Sequence, residues 1–187
     1  SEFLPAGVFN VVCGERETGA SLVNHTRPDM VSITGSVGAG IQVAESAAKQ
    51  VKRVHLELGG KAPVVVFADA DLAAAAEAIA IAGYFNAGQD CTAATRVIVQ
   101  DSVYDDFVAL LTEQAKGIAL GAPHDDDVFL GPVNNSNQLA RVSDLLSRVP
   151  AHASVMTGGS ALDRPGFFFP ATVVAGLRQD DELIQKE

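Results

Sequence analysis

The chain has 187 residues, of which 48% are hydrophobic and 19% charged, a composition typical of a folded globular protein. Its formal net charge is -10, because 23 acidic residues outnumber 13 basic ones. Such a chain lacks the basic surface that nucleic acids and anionic membranes attract. Two cysteines are too few for a disulfide framework, and the four histidines are too scattered for a metal site. We therefore expect a cytoplasmic protein without metal, nucleic-acid or membrane partners.

The first third of the chain alternates apolar runs with stretches of helical periodicity. In chain order these predict a strand at residues 8–13, a weak helix at 20–25, a strand at 30–33, a helix at 41–50 and a strand at 54–58. Cys13 lies in the first apolar run, so we expect it to be a buried, unreactive thiol. This alternation predicts an α/β fold with a parallel sheet.

A second unit is expected after the double glycine Gly59-Gly60, which ends the third strand. Its predicted elements are a strand at 63–67, an Ala-rich helix at 72–85, a strand at 96–99, a helix at 104–117, a loop at 123–132, a helix at 137–149, a short strand before 158 and a strand at 167–174. We therefore predict two domains, at residues 1–58 and 59–187. The chain ends look like interruptions within larger elements, so we expect a piece of a longer protein.

A glycine-bearing turn, residues 35–40, joins the second strand to the following helix. Free backbone N–H groups at a helix start attract phosphate, and glycine lets a ligand approach the backbone. The order of the glycines differs from the usual dinucleotide-binding pattern. On spacing alone, a tight strand-to-helix connection is the better interpretation.

Two further residues have reactive side chains at places where a fold can present them: one at the end of a strand and one in a polar loop. Glu57 lies at the end of a predicted parallel strand, where open α/β sheets place functional groups, although a cap or an ion pair is the commoner role. Cys91 lies in a polar, glycine-containing loop after the long helix, where a thiolate can attack an electrophile. A buried loop cysteine is the alternative for Cys91, and the residues by themselves favour it.

Together these segments resemble the NAD(P)-dependent aldehyde dehydrogenase superfamily. The matching stretches are Leu-Pro-Ala-Gly-Val-Phe-Asn-Val-Val at 4–12, Ile-Thr-Gly-Ser at 33–36 followed by Gly40, Leu-Glu-Leu-Gly-Gly-Lys at 56–61, Phe-Asn-Ala-Gly-Gln-Asp-Cys at 85–91 and Lys-Glu at 186–187. The resemblance covers essentially the whole chain. It implies the C-terminal part of a Rossmann-like cofactor domain at 1–58, followed by most of an α/β catalytic domain of the aldehyde dehydrogenase fold at 59–187.

The resemblance also implies a role for each candidate residue. Cys91 would attack the aldehyde, and Glu57 would be the general base that activates water for hydrolysis of the thioester. The cofactor would be NAD, with NADP as the alternative, and Glu187 would hydrogen-bond the hydroxyls of its nicotinamide ribose. The residues that would face the cofactor phosphates are Gly35, Ser36 and Gly40.

Residues 88–93 most resemble the γ-aminobutyraldehyde dehydrogenases within this superfamily. An acidic Asp90 beside the nucleophile favours a substrate with a positive charge; a carboxylate that only caps the loop is the alternative. Betaine aldehyde and succinate semialdehyde are the competing substrates. The resemblance further implies a homo-oligomeric parent, a dimer or tetramer. We expect residues 1–187 alone to be inactive, and a non-catalytic truncated scaffold is the alternative function.

Overall fold

The computed structural model describes residues 3–187, and the chain divides into two units, Ser1–Leu58 and Gly59–Glu187. The first unit contains α1 (Arg16–Asn24), β1 (Met30–Gly35), α2 (Val37–Ala48) and β2 (Arg53–Leu58). β1 and β2 pair in parallel, in a register that runs from Met30 opposite Arg53 to Gly35 opposite Leu58. The predicted strand–helix–strand order of this region is therefore present.

Polar side chains at residues 50 and 52 satisfy the carbonyl groups at the end of α1. The Gln50 amide donates to the main-chain oxygen of Asn24 at 2.9 Å, and the Lys52 ammonium donates to that of Val23 at 2.6 Å. The last carbonyls of a helix have no partner within the helix, and a cation there is favoured by the helix dipole. These contacts fix α1 to the segment that enters β2.

The strand predicted at residues 8–13 is absent, and the prediction was wrong. The segment has no regular structure, and Val8, Phe9, Val11 and Val12 are exposed. A strand needs a neighbour to pair its backbone N–H and C=O groups, and within residues 3–187 no segment forms a ladder with it. Cys13 is accordingly an exposed free thiol rather than a buried one.

The second unit has eight main elements. They are β3 (Pro63–Val66), α3 (Leu72–Tyr84), β4 (Arg96–Val99), α4 (Tyr104–Lys116), α5 (Ser136–Ser147), β5 (Ser154–Thr157), β6 (Val173–Ala175) and α6 (Glu182–Gln185). β3 pairs in parallel with β4, whereas β5 and β6 are antiparallel. Two of its helices begin at a side-chain cap: Asp71 accepts a hydrogen bond from the Ala74 N–H at the start of α3, and Asn135 accepts from the Gln138 N–H at the start of α5.

Two buried clusters hold the second unit together. In the first, Phe107 of α4 packs with Val66 of β3 and with Ala76 and Ile79 of α3. In the second, a smaller group of apolar side chains joins the end of α4 to β6. Burial raises the pKa of Tyr84 to about 12, and its hydroxyl donates to the main-chain oxygen of Thr172 at 3.0 Å. This contact fixes the end of α3, which leads into the loop of Cys91.

The strand predicted at residues 167–174 is shorter than expected and begins only at Val173. Pro170 has no N–H to donate to a ladder. The main-chain oxygen of Phe167 instead accepts from Val133, and that of Phe168 from Leu162. The carbonyl groups of residues 167 and 168 thus accept hydrogen bonds from loops instead of from a neighbouring strand. Among the helices of the described residues, none is both long and apolar enough to span a membrane.

Candidate active site

The turn between β1 and α2 leaves backbone donors open at a helix start. Ser36 is the N-cap of α2, and its hydroxyl accepts from the Ala39 N–H at 3.2 Å. The N–H groups of Val37 and Gly38 precede the first intrahelical bond, which the Gly40 N–H makes to the Ser36 oxygen at 3.0 Å. Nothing lies within 4 Å of the position that a side chain at Gly38 would occupy. A phosphate group therefore has room to approach these donors.

Gly40 is buried and makes a packing contact that the sequence analysis did not anticipate. A methyl group at this position would lie 2.5–2.6 Å from the two terminal carbons of Leu58, the last residue of β2. Glycine therefore allows the first turn of α2 to lie directly against the end of β2. The candidate cofactor turn and the end of β2 are held together within the first unit.

Glu57 lies on β2 opposite Thr34, the residue before the glycine turn. Its Oε1 atom lies 3.0 Å from Nε2 of His55, and both side chains are more than half exposed. Residues two apart on a strand point to the same face, so the spacing alone predicts this pair. The sequence analysis treated His55 as one scattered histidine and missed it. Glu57 thus carries an exposed carboxylate with a hydrogen-bond partner already present.

Three consecutive residues before Cys91 have left-handed backbone conformations. Their φ angles are 51° at Asn86, 57° at Ala87 and 70° at Gly88. The left-handed region costs about 1–2 kcal/mol for most residues with a Cβ and less for asparagine, so this turn is strained mainly at Ala87. Strain of this kind is found mainly at functional sites, where the surrounding structure must hold it.

Hydrogen bonds hold the strained turn in place. Asn86 accepts from the Gln89 N–H at 3.1 Å through its main-chain oxygen, and its side-chain amide donates to the Gln89 oxygen at 3.0 Å. The Gln89 side chain in turn accepts from the Asn134 N–H at 2.9 Å. Cys91, two residues later, is an exposed free thiol. The loop therefore presents the thiol of Cys91 to solvent on a backbone that is fixed from several sides.

Asp90 caps the loop around Cys91. Its Oδ1 atom accepts from both the hydroxyl and the N–H of Thr92, each at 2.7 Å. Both hydrogen bonds lower the pKa of Asp90, and the bond from the hydroxyl has the larger effect. The geometry is that of the capping alternative, and an Asp-x-Thr spacing is a known signal for such a turn. Asp90 is nevertheless exposed, so its negative charge lies at the surface next to Cys91.

Glu187 lies against Gly59, the first residue of the second unit. The Glu187 carboxylate occupies the space that a side chain at Gly59 would need. The main-chain oxygen of Glu187 accepts from Nε of Arg141, on α5, at 2.9 Å. These residues are far apart in the sequence, so no local pattern predicts the contact. Of the candidate residues in the second unit, Glu187 is the one that the fold brings to the Gly59-Gly60-Lys61 segment.

Ion pairs fix the segment that carries Glu187 to the end of α5. Glu182 accepts from the Arg148 guanidinium at 2.9 Å and from the Lys186 ammonium at 3.2 Å. Both hydrogen bonds lower the pKa of Glu182, from 4.5 to about 2, and the bond from Arg148 has the larger effect. Asp181 adds a 2.9 Å contact with His152. The position of Glu187 therefore depends on a charged network a few residues before it.

Acid should weaken this network through Glu182. Because its pKa is lowered in the folded protein, the carboxylate stabilises the fold at pH values above about 4.5, and this contribution is lost as pH falls towards about 2. We expect Glu182→Gln to lower the free energy of unfolding of the full-length protein at pH 6, and the difference from wild type to shrink between pH 5 and pH 2. Denaturant unfolding at each pH measures it.

Glu113→Gln is the matched control for this experiment. Glu113 is 72% exposed and pairs with Lys116 on one helix, and exposed pairs contribute little to stability. Its substitution should leave the pH dependence of unfolding as in wild type. A difference between wild type and Glu182→Gln that stays constant from pH 6 to pH 2 would contradict the role given to Glu182.

The structure places the candidate residues in two sets. Gly35, Ser36, Gly40 and Glu57 lie in the first unit, around the parallel pairing of β1 and β2. The candidates of the second unit lie in the loop after α3 and at the end of the chain; they are Asp90, Cys91 and Glu187. Among residues 3–187, no group of three or more His, Cys, Asp or Glu side chains is arranged to hold a metal ion.

Several solved structures that superpose on this chain are aldehyde dehydrogenases. Lactaldehyde dehydrogenase from Escherichia coli superposes with a TM-score of 0.94 at 41% identity, over 98% of this chain and 39% of that one. Aldehyde dehydrogenase C from Pseudomonas syringae, solved in complex with NAD+ and octanal, gives a TM-score of 0.93 at 36% identity, over 98% of this chain and 39% of that one. The fold is thus the α/β aldehyde dehydrogenase fold, and the predicted fold class is confirmed.

The chain belongs to the aldehyde dehydrogenase family, whose family model matches residues 2–187. Among curated relatives, lactaldehyde dehydrogenase of Escherichia coli is 42% identical over 98% of this chain. A betaine aldehyde dehydrogenase of Cereibacter sphaeroides is 40% identical over 98% of the chain. The chain spans 39% and 38% of the lengths of these two relatives.

Proposed function

We propose that the protein carrying this chain oxidises an aldehyde to a carboxylic acid with NAD(P)+, using Cys91 as nucleophile and Glu57 as general base. The observation that carries the proposal is the exposed thiol of Cys91 on a strained, hydrogen-bonded loop, in a chain of the aldehyde dehydrogenase family. Such a loop holds a nucleophile in one place while leaving it accessible.

The residues of the first unit fit a dinucleotide cofactor. The open N–H groups at the start of α2, with Gly35 and Ser36 before them, suit a phosphate. An apolar cavity of about 620 Å³ lies between α1, β1 and α2, within the size range of small-molecule sites. Its walls include Ile33 and Ala39, which flank the same turn. This cavity offers apolar surface for the nucleoside part of the cofactor. In the second unit, the exposed Glu187 carboxylate is a suitable acceptor for ribose hydroxyls.

Each protein residue has a separate chemical task. The thiolate of Cys91 attacks the aldehyde carbon and forms a thiohemiacetal, while the Cys91 N–H helps to stabilise the oxyanion. When bound, NAD(P)+ supplies the hydride acceptor that leaves a thioester on Cys91. Glu57 removes a proton from the water that hydrolyses the thioester. The carboxylic acid is released and the thiol is restored.

A cationic aldehyde is the substrate class that the charge beside Cys91 favours. Asp90 is exposed and its pKa is lowered, so it carries a negative charge at neutral pH. A negative charge at this position attracts a substrate with a positive group. We propose γ-aminobutyraldehyde, in line with the resemblance of residues 88–93. Betaine aldehyde is the second candidate, since a betaine aldehyde dehydrogenase is 40% identical to the chain.

The function is tested by NADH and NADPH formation in the full-length protein. The aldehydes to supply are γ-aminobutyraldehyde, betaine aldehyde and lactaldehyde, each with NAD+ and with NADP+. Aldehyde-dependent reduction of either cofactor, with the acid as product, supports the proposal. No reduction of either cofactor with any aldehyde would overturn it.

Asp90→Asn should reduce the preference for a cationic aldehyde. We expect kcat/KM for γ-aminobutyraldehyde to fall by about 5- to 50-fold relative to a neutral aldehyde of the same length, mainly through KM, because one charge–charge attraction is lost. The amide can still accept from Thr92, so the loop cap is retained. Asp101→Asn, at an exposed position after β4, is the control. An unchanged ratio of the two kcat/KM values would remove Asp90 from substrate recognition.

A further inference from the structure

Gly59 is a position where the fold needs space rather than backbone freedom. A methyl group built on Gly59 would overlap both oxygens of the Glu187 carboxylate and lie 2.5 Å from its carboxyl carbon. Its φ angle is outside the left-handed region that favours glycine. Any other residue at this position would therefore have to displace Glu187.

The neighbouring Gly60 differs in this respect. Nothing lies within 4 Å of the position that a Cβ at Gly60 would occupy, and its φ angle is also outside the left-handed region. An alanine at 60 meets neither a steric nor a backbone obstacle. Of the two adjacent glycines, only Gly59 is therefore needed for the close approach of Glu187. The backbone conformation of this turn does not require glycine at either position.

Electrostatics favour the Glu187 carboxylate at this place. Lys61 is partly buried, and burial lowers the pKa of its ammonium group. The Glu187 carboxylate acts in the opposite direction, whereas the cation of Arg96 lowers the pKa further. The carboxylate is therefore close enough to Lys61 to stabilise its positive charge, and it offsets the repulsion between Lys61 and Arg96.

The main chain of Glu187 is held independently of its side chain. Nε of Arg141 donates to the Glu187 main-chain oxygen at 2.9 Å, and the Arg141 NH2 group makes a second, short contact. With the main chain fixed by α5, the side chain reaches Gly59 only because no Cβ is present there. Three features thus fix Glu187: the Arg141 guanidinium holds its main-chain oxygen, and the Lys61 ammonium and the open space at Gly59 favour the position of its carboxylate.

We propose that Gly59 is a positioning residue that sets the location of the Glu187 carboxylate for cofactor binding. The inference rests on the proposed function, in which Glu187 hydrogen-bonds the nicotinamide ribose. Gly59 touches neither substrate nor cofactor in this role. It acts through the space that it leaves for Glu187.

The first experiment is a stability cycle that needs no cofactor. Gly59→Ala should lower the thermal midpoint of the full-length protein slightly when Glu187 is present, because the methyl group displaces the carboxylate from its place near Lys61. In the Glu187→Ala background the same substitution should have little effect, since that space is then free. Gly60→Ala should leave the midpoint unchanged in both backgrounds. An equal loss from Gly59→Ala in both backgrounds would overturn the proposal.

The second experiment measures NAD+ affinity of the full-length protein by calorimetry. Loss of a hydrogen bond to a charged group weakens binding by about 10-fold or more, so Glu187→Gln and Gly59→Ala should each raise Kd by about that factor. The double variant should be no weaker than either single one, and Gly60→Ala should match wild type. A stably folded Gly59→Ala protein with wild-type Kd would overturn the inference.

The two proposals fail in different ways. If Glu187→Gln weakens NAD+ binding and Gly59→Ala does not, the positioning role is wrong and the proposed function stands. If neither variant changes Kd, the inference is wrong because Glu187 has no part in binding. Wild-type protein that neither binds NAD(P)+ nor reduces it with an aldehyde would overturn the proposed function itself, while the stability cycle still reports on the steric relation.

Discussion

Cys91→Ser in the full-length protein is expected to abolish aldehyde oxidation, with kcat lower by at least about 10³-fold. A serine hydroxyl stays protonated at neutral pH and is a far weaker nucleophile than a thiolate. The loop geometry should survive, because the turn is held by the Asn86, Gln89 and Asp90 contacts rather than by the thiol. Steady-state formation of NADH, or of NADPH, from the preferred aldehyde measures the loss.

Cys13→Ser is the matched control for this substitution. Cys13 is also an exposed free cysteine, but it lies in the irregular segment before α1. Its replacement should leave kcat and KM as in wild type. Wild-type kcat in Cys91→Ser, or an equal loss in Cys13→Ser, would contradict the assignment of Cys91 as nucleophile.

Glu57→Gln should slow the release of the acid rather than the attack on the aldehyde. Without a carboxylate to accept a proton from water, hydrolysis of the thioester should slow by about 10²–10⁴-fold. Formation of the thioester should continue, so a rapid burst of reduced cofactor, close to one equivalent per site, should precede slow turnover. Stopped-flow absorbance of the reduced cofactor separates the two phases.

Glu45→Gln is the control, because Glu45 is an exposed carboxylate on α2 of the same unit. It should retain both phases at wild-type rates. If Glu57→Gln lost the burst together with steady turnover, Glu57 would act before hydrolysis, and if it kept full turnover it would not be the general base.

Local features of the fold were predictable because the sequence marks them. Asp71 caps α3 and Lys116-Gly117 ends α4, so these helices begin or end within a few residues of the prediction. The helix predicted at 41–50 instead begins at Val37, after Ser36, which the sequence analysis did not identify as a cap. The apolar runs at β3 and β4 lack polar alternation, and the strands pair in parallel as such runs predict, although Val65 and Ile98 are exposed on one face of this chain. Helix caps and the spacing of apolar residues depend on neighbours only a few residues away. This information is present in a single sequence.

Contacts between distant segments were beyond the local pattern. The apolar run at 8–13 has strand composition, but a strand is defined by its partner, and composition does not supply one. The left-handed conformations at Asn86 and Ala87 contradict the usual preference of residues with a Cβ. The approach of Glu187 to Gly59 joins residues from the two ends of the second unit. The motifs therefore indicate the candidate residues, whereas the contacts that hold these residues depend on segments that are far apart in the sequence.

The contact of Gly40 with Leu58 has a mechanical consequence for the first unit. Leu58 directly follows Glu57, and Gly40 lies four residues after Ser36 on the first turn of α2. A shift of the helix start towards β2 would therefore first meet the Leu58 side chain. The turn proposed to bind phosphate thus packs against the residue that follows the proposed base. A ligand that pushed the start of α2 towards β2 would press on the neighbour of Glu57 in the chain.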